Sequence, residues 1–235
     1  MRITVIGHRG VVGNATYQLL SRLGYEVHGC DMEDRPVESD IAFVCLPERE
    51  VRANLLQMYH TKLYVVRSTV VPGTCEQLQR DLGVHVLHNP EFLRESSAVI
   101  DSFNPDRIII GACCPEHAAT MERLYKQLYK PVFVTDRKVS ELTKLACNGW
   151  LAAVIGYWNE IDTLADALGI SGTEVGMLAS TDPRISAYGS RYHNRFGGKC
   201  LPKDTQHLID IAREHGLPVD LLETIMANNC KGAIL

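Results

Sequence analysis

One cysteine of the chain lies among residues that favour a reactive thiol. A predicted loop ends just before a predicted helix in the segment Arg195-Phe196-Gly197-Gly198-Lys199-Cys200-Leu201-Pro202-Lys203-Asp204. The glycines let a substrate approach the backbone, while Lys199, Lys203 and the start of the helix favour the thiolate, the nucleophilic form of cysteine. An isolated cysteine is more often a small buried apolar side chain. These neighbours instead favour Cys200 as a nucleophile that could attack an aldehyde.

The other cysteines give no sign of a shared site. The eight cysteines, at positions 30, 45, 75, 113, 114, 147, 200 and 230, show neither the CxxC spacing of a zinc site nor the density of a small secreted protein. We therefore expect free thiols in a reducing compartment and no metal site. The first residues read as a strand rather than a charged leader, and no apolar stretch approaches the roughly 18 residues of a membrane span. The sequence thus predicts a cytoplasmic protein without a membrane partner.

Length and charge narrow the class of protein further. The 235 residues suffice for one full domain and a smaller second one. With 46% hydrophobic and 22% charged residues the composition is that of a folded globular chain. The 24 Lys and Arg against 28 Asp and Glu give a net charge of −4, and no long run of like charges occurs. Nucleic acid is therefore not expected as a partner.

The elements that must position Cys200 follow from the hydrophobic pattern. Short apolar runs separated by amphipathic segments are typical of parallel strands buried on both faces. They predict strands at Ile3 to Ile6, Glu26 to Cys30, Ile41 to Cys45, Leu63 to Val66, Val84 to Leu87, Arg107 to Ile110 and Val132 to Val134. The segments between them predict helices at Gly13 to Leu23, Glu48 to Tyr59, Cys75 to Leu82 and Pro115 to Leu128.

The pattern changes at about residue 138, where helices take over. Apolar residues recurring every three or four positions predict one long helix from Val139 to Leu168, which Gly169 ends. Further helices are predicted at about Thr173 to Ala179, at Asp204 to Glu214, and from Pro218 to near the C-terminus. The loop that carries Cys200 runs from Ser180 to Pro202.

A glycine-rich turn follows the first predicted strand and leads into a helix. In that setting Gly7 allows a tight turn, Gly10 lets backbone amides approach a pyrophosphate, and Gly13 lets the helix pack on the strand. Val11 and Val12 belong to the same predicted cofactor-binding turn, and the helix start that follows adds a partial positive charge. The spacing has one residue more than GxGxxG between the first two glycines.

An acidic residue ends the second predicted strand. Asp31 lies where a carboxylate accepts hydrogen bonds from the adenosine ribose, which favours NAD over NADP, although Arg35 lies close by. The alternative is that Asp31 only ends the strand, as an acidic residue in a surface turn. The predicted fold is therefore α/β, with a Rossmann-like doubly wound parallel sheet in residues 1–137, followed by an all-helical domain in residues 138–235.

Several separated blocks, in order, resemble the UDP-glucose and GDP-mannose dehydrogenase family. Besides the segment around Cys200, they are Ser68-Thr69-Val70-Val71-Pro72-Gly73-Thr74, Asn89-Pro90-Glu91-Phe92-Leu93-Arg94-Glu95, Asn104-Pro105-Asp106-Arg107, Glu141-Leu142-Thr143-Lys144 through Asn148, and Asn159-Glu160. Together they extend over nearly the whole chain.

The resemblance implies a cysteine-dependent oxidation of a nucleotide sugar. Cys200 resembles the nucleophile that adds to an aldehyde intermediate and becomes a thioester when a second hydride leaves to a second NAD. Lys144 and Asn148, one helical turn apart, resemble the pair that stabilises the oxyanion. Asp204 and Glu95 resemble the acid and base groups around the catalytic water, which Thr69 helps to hold.

The resemblance also implies binding residues and a dimer. NAD contacts would include Leu46, Pro47, Ser68, Thr69, Glu95 and Lys203, besides the glycine turn, Asp31 and Arg35. Arg184 resembles an arginine donated across a dimer interface, so a homodimer built on the long helix is implied. The alternative for Arg184 is a surface ion pair. Substrate contacts would come from Phe92, Leu93, Arg94, Glu95, Lys144, Asn148, Arg184, Tyr188, Tyr192, Phe196, Gly197 and Cys200.

Members of this family continue into a third domain that holds much of the nucleotide. This sequence stops before that domain, which leaves two alternatives open: a naturally short protein, for which a partner protein could supply the missing part, or a fragment of a longer chain. Two other functions stay open. A single-hydride dehydrogenase of the hydroxyacid or 6-phosphogluconate kind would explain Lys144 and Asn148 but leave Cys200 unused. A non-catalytic nucleotide-binding remnant would leave the whole set of reactive residues without a chemical role.

Overall fold

The computed structural model describes residues 1–31, 34, 38–52, 61–190 and 196–231, with residues 230 and 231 described by their backbone alone. The chain divides into two compact units, Met1–Lys144 and Leu145–Leu235. The division falls inside a long helix, a few residues after the domain boundary that the sequence predicts, and that boundary stays a prediction.

The first unit alternates strands and helices, as the sequence predicts. All seven predicted strands are present, each within one residue of its predicted ends: β1 (Arg2–Ile6), β2 (Glu26–Cys30), β3 (Ile41–Val44), β4 (Leu63–Val66), β5 (His85–His88), β6 (Ile108–Gly111) and β7 (Val132–Thr135). The helices are α1 (Val11–Arg22), α2 (Thr74–Leu82), α3 (Ala98–Phe103), α4 (Pro115–Tyr125) and the start of α5 (Arg137–Leu168). Residues 48–52 are also helical, and the rest of the helix predicted there lies outside the described residues.

The described strands form one sheet in the order β2-β1-β3-β4-β5-β6-β7. Alternate residues of each central strand enter two different cores, because successive side chains of a strand point to opposite faces. Phe43 and Val65 pack with α1 and α4 on one face, while Val44 and Val66 pack with α2 on the other. Helices therefore cover both faces of the sheet, which confirms the predicted Rossmann-like fold class.

One part of the sheet differs from the all-parallel prediction. Strands β1 to β5 are parallel to one another, but β6 pairs with β5 in the antiparallel direction, with His88 opposite Gly111. If β6 ran parallel to β5, the chain between them would have to cross over the full length of the sheet. The connection instead contains one 3-10 turn, Glu95–Ser97, and the six-residue helix α3, which the sequence pattern did not predict and which rises about 9 Å.

The second unit is helical in its described residues. It contains the rest of α5, then α6 (Gly172–Ala179), α7 (Cys200–Glu214) and α8 (Asp220–Lys231). Helix α7 begins at Cys200, four residues earlier than predicted. Pro202 falls within its first turn, where a proline is tolerated because the first backbone N–H groups of a helix need no partner inside it. Among the described residues, no helix has both the length and the apolarity to cross a membrane.

Candidate functional site

The glycine turn between β1 and α1 has the close packing that its spacing predicts. Gly7 adopts φ +82°, and a Cβ there would lie 2.7 Å from the Cys45 carbonyl oxygen. A Cβ on Gly13 would collide with the carbonyl oxygen of Gly7. At Gly10 the nearest atom to such a Cβ is 3.4 Å away, so packing alone does not demand a glycine there. Because Gly10 has no side chain, a ligand can approach its backbone closely.

The start of α1 suits a pyrophosphate group. Gly10 is the N-cap residue of α1 and has no side chain to cap the helix. The amides of Val11, Val12 and Gly13 are the first of the helix, and such amides have no acceptor within it. Together with the helix dipole they favour an anion. These residues fit the pyrophosphate of a dinucleotide.

Asp31 lies at the carboxyl end of β2, beside the glycine turn. Its Oδ2 is 2.8 Å from His8 Nδ1 and accepts a 3.1 Å hydrogen bond from the Arg9 backbone N–H. Its backbone N–H donates to Asp34. Gly29 makes room for the His8 ring, since a Cβ there would collide with it. The carboxylate is therefore held in place next to the turn, while Arg35 lies outside the described residues.

The other predicted cofactor residues follow β3 and β4. The carboxyl ends of parallel strands share one edge of a sheet, and ligands of such folds bind there. Ser68 donates a 2.6 Å hydrogen bond from its hydroxyl to the Leu46 carbonyl, which ties the two loops together. Pro47 follows Leu46 directly, and Thr69, half-buried, follows Ser68.

Behind this edge lies His88, a buried residue that the sequence did not single out. Its Nδ1 is 2.8 Å from the Ser140 hydroxyl of α5, and its Nε2 is 3.4 Å from the Ser68 carbonyl. Burial lowers the pKa of His88 to about 3, with the nearby charges of Lys144 and Arg67 adding to the effect. A neutral imidazole therefore connects β4, β5 and α5 at neutral pH.

The loop after β5 brings Lys144 against an acidic residue. Lys144 Nζ lies 3.3 Å from Glu91 Oε1, and both side chains are largely buried. Glu91 Oε2 accepts a 2.6 Å hydrogen bond from the Leu93 N–H. The Lys144 ammonium also lies 5.2 Å from the centre of the Phe92 ring, at the range of a cation–π contact. Glu91 belongs to a block that the sequence singled out, but only the structure shows its pairing with Lys144.

The remaining residues of that loop are more exposed. Arg94 forms a two-point ion pair with Asp101, at 3.0 and 2.6 Å, and its backbone N–H donates to the same carboxylate. The Arg94 guanidinium therefore holds the pKa of Asp101 well below its usual range. The pair and the backbone hydrogen bond together fix the loop at Arg94. Glu95 is exposed at the start of a 3-10 turn, Glu95–Ser97.

Cys200 is exposed in the first turn of α7. Gly198 precedes it with φ +73°, a conformation that favours glycine, and Lys199 is the N-cap residue. The positive end of a helix stabilises a thiolate. The surroundings of Cys200 thus agree with those of a nucleophile.

Asp204 lies one turn beyond Cys200 and is buried. Its Oδ2 accepts a 2.5 Å hydrogen bond from the Asn148 amide, and its Oδ1 accepts one of 2.6 Å from Lys203 Nζ. Close packing of α5 and α7 allows this contact, since a Cβ on Gly149 would lie 2.7 Å from Leu208. The mid-helix Asn148 is thereby explained as the partner of a buried carboxylate.

The substrate residues predicted in the second unit differ in exposure. Phe196 is buried against Ala152 and Ile155, with Tyr188 beside them, so its side chain anchors the loop. No described atom would lie within 4 Å of a Cβ on Gly197, which leaves open backbone there. Arg184 is exposed and pairs with its neighbour Asp182 at 2.6 Å. Tyr192 lies outside the described residues.

Two models of one family match the chain in succession. The NAD binding domain of the UDP-glucose/GDP-mannose dehydrogenase family matches residues 36–129, and the central domain of that family matches residues 138–231. The first match begins after the glycine turn, so the roles of Gly7, Gly10 and Gly13 stay predictions.

Individual relatives agree with these matches. The chain is 36% identical to UDP-glucose 6-dehydrogenase of Rhizobium meliloti (strain 1021), over 81% of this chain and 46% of the relative. It is 30% identical to GDP-mannose 6-dehydrogenase of Pseudomonas aeruginosa, over 85% of this chain and 52% of the relative. The solved structure of a UDP-glucose dehydrogenase from Pyrobaculum islandicum superposes with a TM-score of 0.86 at 30% identity, covering 97% of this chain and 67% of that one. The chain thus spans about half the length of the curated relatives that it matches.

Proposed function

Because the chain belongs to the UDP-glucose/GDP-mannose dehydrogenase family, we propose that it oxidises the primary alcohol of a nucleotide sugar to a carboxylic acid with NAD. The observation that carries this proposal is the exposed thiol of Cys200 in the first turn of α7. One turn further along that helix, Asp204 is buried and bonded to Asn148. A thiol at a helix start beside an ordered carboxylate suits covalent catalysis better than a single hydride transfer.

Residues of the first unit would hold the cofactor. The amides at the start of α1 would bind the pyrophosphate, and the Asp31 carboxylate would accept hydrogen bonds from the ribose hydroxyls. Leu46, Pro47, Ser68, Thr69 and Glu95 complete the predicted set of this unit, and Lys203 is the one predicted cofactor residue from the second unit. NAD, when bound, accepts one hydride at each of the two oxidation steps.

Cys200 keeps the intermediate attached between those steps. After the first hydride and a proton leave the alcohol, the thiolate adds to the resulting aldehyde and forms a carbon–sulfur bond. The thiohemiacetal loses a second hydride and a proton and becomes a thioester. Water then breaks the carbon–sulfur bond, which releases the acid and returns the thiol.

Lys144 and Asn148 are proposed to stabilise the oxygen that becomes negative when Cys200 attacks. They lie one turn apart on α5, and Lys144 is almost fully buried, so its charge is only weakly screened by water. Glu91 holds the ammonium in place through the 3.3 Å ion pair. Asn148 orients Asp204 at the same time, so a single amide serves two polar partners.

Asp204 and Glu95 are proposed as the acid and base groups around the water that cleaves the thioester, with Thr69 holding that water. Asp204 is held by Asn148 and Lys203, which gives its carboxylate a fixed orientation. Glu95 is exposed and Thr69 is half-buried, so both are within reach of solvent.

The substrate class rests on the relatives, which are named for UDP-glucose and GDP-mannose. The main chain from Phe92 to Arg94, the backbone at Gly197 and the loop with Tyr188 and Tyr192 are the proposed sugar contacts. Arg184 is proposed to reach the site of a second copy, which requires it to leave Asp182.

A small panel of substrates tests this proposal. The purified chain is mixed with NAD and, in turn, UDP-glucose, GDP-mannose and UDP-N-acetylhexosamines, and NADH absorbance is followed. We expect NADH with at least one of them and none with the free sugars. Absence of NADH across the panel, from protein that binds NAD in calorimetry, would contradict the proposed activity.

A further inference from the structure

Two cysteines and two histidines of the first unit converge at a place that the proposed reaction does not use. Each of His85, Cys113, Cys114 and His117 offers one ligand atom, and all four atoms lie within 4.8 Å of one another. The cysteine sulfurs are 3.9 Å apart, and His117 Nδ1 is 3.4 Å from one and 3.1 Å from the other. His85 Nδ1 is 3.7 Å from the Cys113 sulfur.

The antiparallel pairing of β5 and β6 creates this cluster. With His88 opposite Gly111, continuing the register places His85 opposite residue 114. Cys114 is the N-cap residue of α4, and His117 lies in the first turn of that helix. A parallel β6 would have placed His85 and the two cysteines at opposite ends of the strands. Sequence spacing predicts no metal motif here because His85 lies on a different strand, 28 positions before Cys113.

The separations agree with the geometry of a tetrahedral zinc site. Zinc–sulfur bonds of about 2.3 Å and zinc–nitrogen bonds of about 2.0 Å at tetrahedral angles imply sulfur–sulfur distances of about 3.8 Å and sulfur–nitrogen distances of about 3.5 Å. The four distances between ligand atoms, from 3.1 to 3.9 Å, lie around these values. Two thiolates with two imidazoles form a ligand set that selects zinc over magnesium or calcium.

We propose that His85, Cys113, Cys114 and His117 bind one zinc ion in a structural Cys2His2 site. Four protein ligands leave no open position for water or substrate, which is the property of structural rather than catalytic zinc. The location of the cluster also favours a structural role. His85 begins β5, so it lies at the edge of the sheet opposite the carboxyl ends of β1 to β5, where the predicted NAD residues lie. The ion ties the start of β5 to the start of α4.

Zinc binding by the full chain tests this proposal without any need for activity. The protein is reduced with a phosphine, stripped with a chelator, and titrated with zinc in calorimetry. We expect one zinc per chain and a rise in melting temperature, because a ligand that binds the folded state stabilises it. Cobalt in place of zinc should give the intense visible bands of a tetrahedral ion and a thiolate charge-transfer band.

Matched variants locate the site. Cys114→Ser and His117→Ala should each weaken zinc binding at least about tenfold, since even partners of metal ligands matter by that amount. Cys200→Ser, which removes the exposed thiol elsewhere, should bind zinc like the wild type. Equal zinc binding by Cys114→Ser and the wild type would overturn the proposal, as would an octahedral cobalt spectrum. A Cys113 to Cys114 disulfide in mass spectrometry, with no zinc uptake after its reduction, would overturn it as well.

Discussion

Asn148 donates a 2.5 Å hydrogen bond to the carboxylate of Asp204, and both side chains are buried. The contact joins the middle of α5 to the first turns of α7. Asp204 lies one turn from Cys200, so the same hydrogen bond orders the helix start that carries the exposed thiol. Stability and the proposed chemistry therefore share this pair.

Replacing Asn148 tests how much the pair contributes. Asn148→Leu should lower the free energy of unfolding by about 1 to 3 kcal/mol, because the buried Asp204 carboxylate loses the Asn148 hydrogen bond and keeps the one from Lys203. Urea denaturation measures this through the midpoint at an unchanged slope. The control Gln206→Leu breaks an exposed bond to Asp210 and should cost less than about 0.5 kcal/mol.

A double variant separates the hydrogen bond from general packing. Asn148→Leu combined with Asp204→Leu should lose less stability than the sum of the two single variants, because no buried polar group is left without its partner. Strict additivity would show that the two side chains do not depend on each other.

Two glycines of the turn should respond differently to alanine. Gly13→Ala places a methyl group against the Gly7 carbonyl oxygen, so we expect a loss of about 1 to 3 kcal/mol in stability and of NAD binding. Gly10→Ala has room for the methyl group and should fold like the wild type, but bind NAD more weakly because the backbone no longer lies bare. Thermal melts and NAD calorimetry measure both. Unchanged NAD affinity in Gly10→Ala would place the pyrophosphate elsewhere.

His88 should make the folded chain sensitive to acid. Its folded pKa of about 3 lies below the ordinary 6.5, so between these values the unfolded chain binds a proton that the folded chain does not. Stability attributable to His88 is therefore complete above pH 6.5 and is lost as the pH falls towards 3, at up to about 1.4 kcal/mol per pH unit.

Denaturation at a series of pH values checks this sign. Relative to its own stability at pH 7.5, His88→Gln should lose less between pH 6.5 and 4 than the wild type does. Ser140→Ala keeps the buried imidazole and should retain the wild-type slope. Parallel pH profiles for His88→Gln and the wild type would contradict a neutral buried His88.

An exposed apolar stripe on α5 predicts the dimer. Trp150, Tyr157 and Leu164 are spaced by seven residues and are 64%, 57% and 56% exposed. Such spacing places side chains on one helical face, and burying that face against a second copy would remove apolar surface from water. Light scattering should give a dimer for the wild type and a monomer for Trp150→Glu.

The control for the dimer lies on another face of the same helix. Asp166→Lys changes an exposed charge about 200° around the helix from Leu164 and should leave the dimer intact. A wild-type protein that is monomeric at micromolar concentration would contradict the predicted dimer and the role proposed for Arg184.

Much of the fold could be predicted from local pattern. The buried strands read as apolar runs, and the family, the fold class and NAD as its cofactor are confirmed by the matching domains. The block from Asn89 to Glu95 was found in sequence, but only the fold shows that Glu91 pairs with Lys144, 53 positions later in the chain. Pairings of this kind depend on long-range packing rather than on spacing.

Two features escaped prediction because they depend on chain direction and helix ends. The reversed β6 follows from a connection whose one α-helix is short, and this reversal brings His85 to Cys113 and Cys114. The start of α7 at Cys200 was missed because Pro202 reads as a break, although a proline in the first helical turn costs no hydrogen bond.

The ratio of NADH to substrate tests the central claim most directly. With a nucleotide sugar that the chain accepts, the cysteine route predicts two NADH for each sugar consumed and one carboxylic acid, and no acid from Cys200→Ser. One NADH per sugar, with an aldehyde or ketone as product and an unchanged rate in Cys200→Ser, would contradict it and identify a single-hydride dehydrogenase.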